Sequence, residues 1–570
     1  MKNFYITTPI YYPNGSPHIG HTYTSVSCDV IARYKRFAGY NVLFSTGTDE
    51  HGAKIEQAAV KAGQTPKQYV DDIVANFKKL WAYLNISYDR FVRTTDEYHI
   101  KTVQSLFAKL YDSGYIYKSE YKGKYCVPCE SFWTESQLDK DGNCPDCNRA
   151  VTEQTEEAYF FRLSGFSDRL SEILTGSEFL LPKFRVAEMV NNFIKPGLAD
   201  LCVSRSTLKW GISVPFDTCH TVYVWLDALV NYLSVLGYMN DGYAKDGTVN
   251  ADGAATVGGT VNADGAADTD FAQYWNDGYV LHYTAKDIVR FHSIIWCGIL
   301  EAAGIRLPDR LYSHGWITFG GKKMGKSVGN VVDPYILGDR YGVDAIRYQL
   351  LRDMPYGSDL DYSNELMLSR INTDLANNYG NLVSRTVGMV FKYFGGTLPA
   401  PEDGTNTNNT ANTADGANNT SAAAPDTALA EAAAALRGKV EAYIDIQDLS
   451  KALEAVMDVV SRGNKYVDET MPWVLFKSDN PSDTARLAEV LYNLLEVIRI
   501  TTVLLAPFMP TVTAEVLRQI GAGDAAVTSY ENAAVWGVLP RDVSVAKGEI
   551  LFPRIDIEKE LAALAENPLV

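Results

Sequence analysis

The chain has 570 residues, 46% hydrophobic and 12% aromatic, with a formal net charge of −17 at pH 7. That length predicts more than one domain, and the acidic balance excludes a protein that holds nucleic acid by bulk electrostatics, so any RNA contact must be a local patch. Met1 is followed almost at once by a strand-like stretch, with no basic-then-apolar leader and no apolar run able to cross a bilayer, which predicts a cytoplasmic protein without a membrane partner.

"FYITT" from Phe4 is rich in β-branched and aromatic residues and predicts a strand, and Asn14-Gly15 predicts a turn. Ser16 then reads as an N-cap with Pro17 at the first helical position, the helix running to about Ala38 before Gly39 stops it. "NVLFST" follows as a second strand. This β-α-β unit places His18 and His21 on one face of the first helical turn, where unpaired N–H groups and the helix dipole favour a polyphosphate. Taken alone, such a pair is more often a capping or packing feature. "GTDEHG" sets Asp49 at the end of the second strand, where a parallel sheet presents its ligands.

Further along, Cys126, Cys129, Cys144 and Cys147 follow a C-x2-C-x14-C-x2-C pattern, which matches two close pairs supplying four thiolates to one tetrahedral zinc. A site closed by four protein ligands has no position left for substrate, so this zinc is expected to be structural. Cys28, Cys202, Cys219 and Cys297 lack such spacing and are expected to be buried thiols. "YVWLDALVNY" offers Trp225 and Tyr232 seven apart, and "KDIVRFHSIIW" offers Ile288, His292 and Trp296 at intervals of four. Each stripe alone would be core. As a set with Asp49, an acid for an ammonium group and aromatics for a thioether suit methionine.

Two low-complexity stretches, 240–270 with a net charge of −5 and 396–428 with −4, predict solvated loops; the first repeats "GTVNADGAA". If RNA binds, both should point away from it. "FGGKKMGKSVGNVVDP" holds Lys323 and Lys326 among small residues, where backbone can approach a ligand. Beside the histidine pair, this lysine loop suggests attack at an α-phosphate with pyrophosphate departing. In "LANNYGNLVSR", Asn381 and Arg385 lie one helical turn apart. Trp473, just after Pro472 in "MPWVLF", would by itself be read as the anchor of a helix start.

"HIGH" at 18–21 matches the signature of class I aminoacyl-tRNA synthetases, and "KMGKS" at 323–327 resembles their KMSKS loop. With the cysteine knuckle between these motifs, and with "TPIYYPNG", "GTDEHG" and "YVWLDA" in order, nearly the whole chain resembles the methionyl-tRNA synthetase family. The resemblance implies activation of methionine by ATP and its transfer to tRNA(Met), the initiator included, with Mg2+ accompanying ATP. It implies that His18 and His21 stabilise the α-phosphate, that Lys323 and Lys326 hold pyrophosphate, and that Gly20, Lys286 and Asp287 also lie at the ATP. Ile10, Tyr12, Trp225, Tyr232, Ile288, His292 and Trp296 would line the methionine pocket with Asp49 at the ammonium, and Asn381, Arg385 and Trp473 would read the anticodon. Two positions depart from the pattern: Gly325 replaces a serine and Ala285 a glycine.

The expected fold class is α/β, a Rossmann-type parallel-sheet catalytic domain with a zinc-binding insertion, followed by an α-helical anticodon-binding bundle. Its expected parts are catalytic halves at 1–113 and 216–328, the zinc-bearing insertion at 114–215, a stem-contact segment at 329–374, the helical domain at 375–530 interrupted by the insert 396–428, and a tail at 531–570. The tail leaves no room for a further dimerisation domain, so a monomer is expected. A small-molecule nucleotidyltransferase would need neither the knuckle nor the helical region, and a paralogue without catalysis would be expected to have lost a signature histidine or lysine. Residues 114–215 are too few to hold both a knuckle and a hydrolytic editing domain.

Overall fold

A computed structural model of the chain describes residues 1–13, 15, 17–129, 131–133, 135, 138–145, 147–206, 208–239, 270–324, 332–400 and 423–566. Its contacts divide into two units, the first comprising 1–36 and 40–315 and the second 37–39 and 316–570.

The first unit is organised by six parallel strands: β1 Asn3–Thr7, β2 Asn41–Thr48, β3 Arg90–Arg93, β4 Leu180–Leu181, β5 Tyr279–Ala285 and β6 Arg310–His314. Their order across the sheet is β3-β2-β1-β5-β6-β4. The two central strands, β1 and β5, are buried almost throughout, which is why they carry near-continuous apolar and β-branched residues instead of an alternating pattern. The chain builds outward from β1 through β2 to β3, lays down the far edge strand β4, then returns to the centre with β5 and fills the gap with β6. The β1/β5 boundary is therefore the switch point, the position where sheets of this kind bind ligands beyond the carboxyl ends of their strands.

Helix α1, Ile19–Phe37, follows β1. It starts two residues later than the Ser16–Pro17 signal predicts and ends one residue before Ala38. The cause is His18, whose carbonyl accepts the N–H groups of His21 at 2.9 Å and Thr22 at 3.1 Å, so the histidine takes the place just ahead of the first turn. Asn14 and Ser16, on which the predicted turn and cap rest, lie outside the described residues. Gly47 in β2 has a steric reason: a Cβ there would stand 2.0 Å from the Val92 carbonyl oxygen of β3.

The insertion is a four-stranded antiparallel sheet in the order 131–133, 116–126, 152–161 and 201–202, with the cysteine knuckle at the far end of its long hairpin. In the first unit, helix α2, Val224–Ser234, packs against helix Glu97–Asp112. Among the described residues no helix is long and apolar enough to cross a membrane.

The second unit opens with a small sheet of Ile317–Phe319, Lys322–Lys323 and Leu360–Tyr362. The rest is helical. One continuous helical run covers 364–394, π-helical over Ile371–Gly380 and α-helical again in α3, Asn381–Phe394. It packs with α4, Leu449–Thr470, and α5, Pro481–Leu505, around Leu382, Val460 and Val497.

Two residues predicted to belong to solvated loops are ordered by partners. Asp270 is buried and pairs with Arg90 at 3.3 Å. Asp426 lies in helix Ala423–Ala434, where Arg486 Nη2 donates to it at 2.8 Å and the Tyr466 hydroxyl at 2.6 Å. In both cases an arginine distant in sequence supplies the charge that a local composition reading leaves out. Residues 240–269 and 401–422 lie outside the described residues.

Candidate active site

At the amino end of α1 the two histidine rings lie 4.0 Å apart. The Gly20 N–H donates to His18 Nδ1 and the His18 N–H donates to His21 Nδ1, both at 3.1 Å. With Nδ1 accepting in each ring, the proton of the neutral imidazole is on Nε2, so both side chains are presented as donors. Gly20 is required by the same geometry, because a Cβ there would stand 2.9 Å from His18 Cε1. His21 is held laterally by the edges of Tyr11 and Phe77, with ring centroids at 5.2 and 5.7 Å.

Asp49 follows β2, and its N–H donates to the Tyr11 carbonyl at 2.9 Å, tying the ends of the first two strands together. Ile10 packs on the core cluster, and Tyr12 has the Lys54 ammonium over its ring at 5.7 Å. Lys286 and Asp287 begin the 3-10 turn Lys286–Ile288 that follows β5. Ala285 has φ −81° and ψ 157°, an extended conformation open to any residue, so its backbone does not need the glycine of the family pattern. The histidine pair, Asp49 and Lys286 thus all stand at the carboxyl ends of β1, β2 and β5, flanking the switch point.

Four of the predicted pocket residues are interlocked. The Tyr232 hydroxyl and His292 Nε2 are 2.7 Å apart, and His292 Nδ1 is 2.9 Å from the Ile288 carbonyl. A carbonyl can only accept, so Nδ1 carries the proton and Tyr232 donates to Nε2. Burial holds His292 down at about 4, hence neutral. Phe291–Trp296 is a π-helical segment, and its wider turn brings His292 and Trp296, four apart, toward one side. Trp225 stacks on Phe291 at 3.6 Å.

Sequence reasoning missed His282. Its Nε2 accepts from Trp296 Nε1 at 3.3 Å, its Nδ1 therefore donates to Thr7 Oγ1 at 2.8 Å, and its ring stacks on Tyr232 at 4.1 Å. Burial pushes its pKa well below the usual imidazole range. Only the strand register, which pairs Thr7 with His282, could have exposed this role.

The four cysteines of the knuckle have sulfurs within 4.8 Å of one another, with the Cys126–Cys147 pair at 3.5 Å and the Cys129–Cys144 pair at 3.8 Å. A zinc tetrahedron with Zn–S bonds of about 2.3 Å has edges of about 3.8 Å, so the cluster could hold one zinc ion. Burial, reinforced by the neighbouring sulfurs, pushes the Cys126 thiol up to about 12, so these sulfurs need a cation to become thiolates together. Asp139 Oδ1 accepts from the N–H groups of Asp141 and Asn143 at 2.9 and 2.8 Å and shapes the turn between the cysteine pairs. Of the other cysteines, Cys28, Cys202 and Cys297 are buried as expected; Cys219 is exposed, because its strand Asp217–Val222 lies at the surface at that end.

In the second unit the backbone of Lys323 pairs with Thr318, while Gly325, Lys326 and Ser327 lie outside the described residues. Asn381 Nδ2 donates to Asn464 Oδ1 at 3.1 Å, and Arg385 pairs with Asp468 at 3.3 Å, both bridging α3 to α4. Trp473 is 39% exposed, next to the exposed Met471, Val474 and Phe476. Trp473 stands in the first turn of the short helix Pro472–Leu475, so it sits at a helix start while leaving part of its ring at the surface.

Comparison with known proteins decides the family. The model for class I tRNA synthetases (M) matches residues 4–157 and 148–387, and the model for the anticodon binding domain of methionyl tRNA ligase matches 417–566. The chain belongs to the class I methionyl-tRNA synthetases. The methionine–tRNA ligase of Caldanaerobacter subterraneus subsp. tengcongensis is 50% identical over 567 residues, 99% of this chain and 81% of that protein. That of Clostridium perfringens is 46% identical over 99% of this chain and 80% of its own length. Mycobacterium tuberculosis methionyl-tRNA synthetase, solved in complex with methionyl-adenylate, superposes with a TM-score of 0.84 at 37% identity, covering 97% of this chain and all of that one. The parallel sheet and helical carboxyl-terminal region of this synthetase are therefore those of its family.

Proposed function

We infer that the chain activates methionine with ATP and then transfers the aminoacyl group to tRNA(Met), as a methionine–tRNA ligase does. In the first step a methionine carboxylate oxygen bonds to the α-phosphorus, the bond from that phosphorus to the bridging oxygen breaks, and pyrophosphate leaves. In the second, a hydroxyl of the tRNA 3′ end attacks the activated carbonyl and AMP leaves.

The observation that carries this reading is the convergence of His18, His21, Asp49 and Lys286 on the carboxyl ends of β1, β2 and β5. Two imidazole donors at a helix terminus stabilise the charge that builds on the α-phosphate, and removing such a donor costs roughly 10²–10³ in rate. Asp49 pairs with the substrate ammonium, Tyr232, His292 and Trp296 enclose its thioether, and Ile10, Tyr12, Trp225 and Ile288 complete the wall. Lys323 and Lys326 take the pyrophosphate, with Gly20 and Asp287 also at the ATP. Mg2+ bound with ATP would supply charge neutralisation at the phosphates.

The zinc held by Cys126, Cys129, Cys144 and Cys147 is structural, since the protein fills all four positions. Asn381, Arg385 and Trp473 read the CAU anticodon by hydrogen bonds and stacking on splayed bases, supported by the exposure of Trp473. The parts run 1–113, 114–215, 216–328, 329–374, 375–530 and 531–570, and the protein works as a cytoplasmic monomer.

The test is ATP–pyrophosphate exchange with each of the twenty amino acids. Exchange with methionine alone is expected. Exchange with none, in folded protein, would overturn the catalytic reading.

A further inference from the structure

Asp227 is fully buried in the first turn of α2, and each of its carboxylate oxygens meets one imidazole: Oδ2 is 2.6 Å from His51 Nδ1 and Oδ1 is 2.8 Å from His99 Nε2. His99 Nδ1 reaches Ser234 Oγ, at the far end of the same helix, at 2.8 Å. Although burial pushes the Asp227 carboxyl up, His51 and then His99 outweigh it and hold it below the usual range. A buried carboxylate with two partners of this kind is rigid, because breaking either contact leaves charge without compensation.

His51 belongs to the loop after β2, and that loop is pinned on its other side by Glu50. The buried Glu50 carboxylate takes both Arg93 nitrogens, at 2.6 and 2.8 Å, and the hydroxyls of Thr48 and Thr95, at 2.6 and 2.7 Å. Trp210 closes the loop from above, with its Nε1 donating to the Glu50 carbonyl at 2.6 Å and its ring edge against His51. Asp49 immediately precedes Glu50. The helix on the other side of the bridge carries Trp225 and Tyr232.

We propose that Asp227, acting through His51 and His99, is a positioning residue of the amino acid site: it fixes the distance between Asp49, on the β2 loop, and Trp225 and Tyr232, on α2, and so sets methionine affinity. This rests on the reading of Asp49, Trp225 and Tyr232 as methionine contacts. None of the three bridge residues is among the methionine, ATP or anticodon contacts proposed above.

The experiment is steady-state ATP–pyrophosphate exchange on the full chain, with Asp227→Asn, His51→Gln, the double variant and Asp49→Asn side by side. Asp227→Asn keeps the shape but loses the charge and one acceptor. Its KM for methionine should rise roughly ten- to a hundredfold, with KM for ATP within about twofold of the parent, because a misplaced ammonium partner affects only the amino acid. The double variant should be no worse than Asp227→Asn alone, since both changes cut one link.

An unchanged methionine KM, an equal rise in both KM values, or additive effects would overturn the proposal. If Asp49→Asn also leaves methionine KM unchanged, the pocket reading itself has failed; if only Asp49→Asn raises it, the positioning role alone has failed. Should Asp227→Asn not fold, His51→Gln, which leaves the carboxylate its His99 partner, carries the same test.

Discussion

The cysteine knuckle and the proposed methionine pocket belong to one unit and are built in opposite ways. The knuckle takes its four sulfurs from residues 126–147 and has a core of Cys126, Trp133 and Cys144 with a few half-buried neighbours. So small a cluster cannot hold itself together by apolar burial, and a metal ion on the four sulfurs would supply the cohesion. The pocket draws residues from 10 to 296 and rests on the main core of the unit, where Tyr232 and Trp296 are buried with Trp275, Leu43 and Val280. Its groups are held by neutral hydrogen bonds and stacked rings, so each contact carries a small share. A local site therefore fails all at once, and a distributed one fails by degrees.

The largest effect should come from removing one sulfur. Cys144→Ser is expected to abolish stoichiometric zinc, with a local loss on the order of 10 kcal/mol, and to open 127–148 to protease while the parallel sheet stays folded. Metal content and mapped limited proteolysis check this; a protected, metal-loaded variant would break the contrast.

Tyr232→Phe keeps the stack on His282 but leaves the buried His292 Nε2 without its donor. The cost should be about 1–3 kcal/mol, or roughly 5- to 150-fold in kcat/KM for methionine, with the fold intact. A change in thermal stability with no change in that ratio would instead make the pair purely structural.

The pH dependence sharpens the same point. His292 titrates near 4 in the folded chain against 6.5 when unfolded, so the unfolded state binds the extra proton. Stability from its neutral burial is present above pH 6.5 and is lost as pH falls toward 4, amounting to about 1.4 kcal/mol by pH 5.5. Thermal unfolding at pH 7.5 and 5.5 should show that loss, reduced in His292→Asn. Equal losses in both proteins would assign it to other groups.

Gly325→Ser should have the smallest effect, a modest acceleration of methionine activation, since it restores a hydroxyl and removes backbone freedom while both lysines remain. Single-turnover adenylate formation measures it, and an unchanged or slower rate would count against it.

How far the sequence could be read follows the same division. The cysteine spacing was legible because knuckle chemistry is local: two pairs separated by a turn need only hairpin geometry to meet. The first strand and the helix carrying the histidines were legible from β-branched content and capping residues, yet the helix began at Ile19 because the His18 carbonyl satisfies the first donors. The family signatures named His292 and Trp296, but not His282, which orients Trp296 from a strand paired with β1. Asp270 and Asp426 were read as solvated because their arginine partners lie 180 and 60 residues away.

By itself the sequence determined the α/β class, the cysteine cluster and the motifs that identify the family, all of which depend on spacing over a turn or a few turns of chain. The strand order with its switch point between β1 and β5, the tautomers of His282 and His292, and the buried Asp227 bridge were decided only by tertiary structure. Each depends on which distant side chains are brought within about 3 Å, and a hydrogen bond in a dry interior is set by that contact, not by distance along the chain.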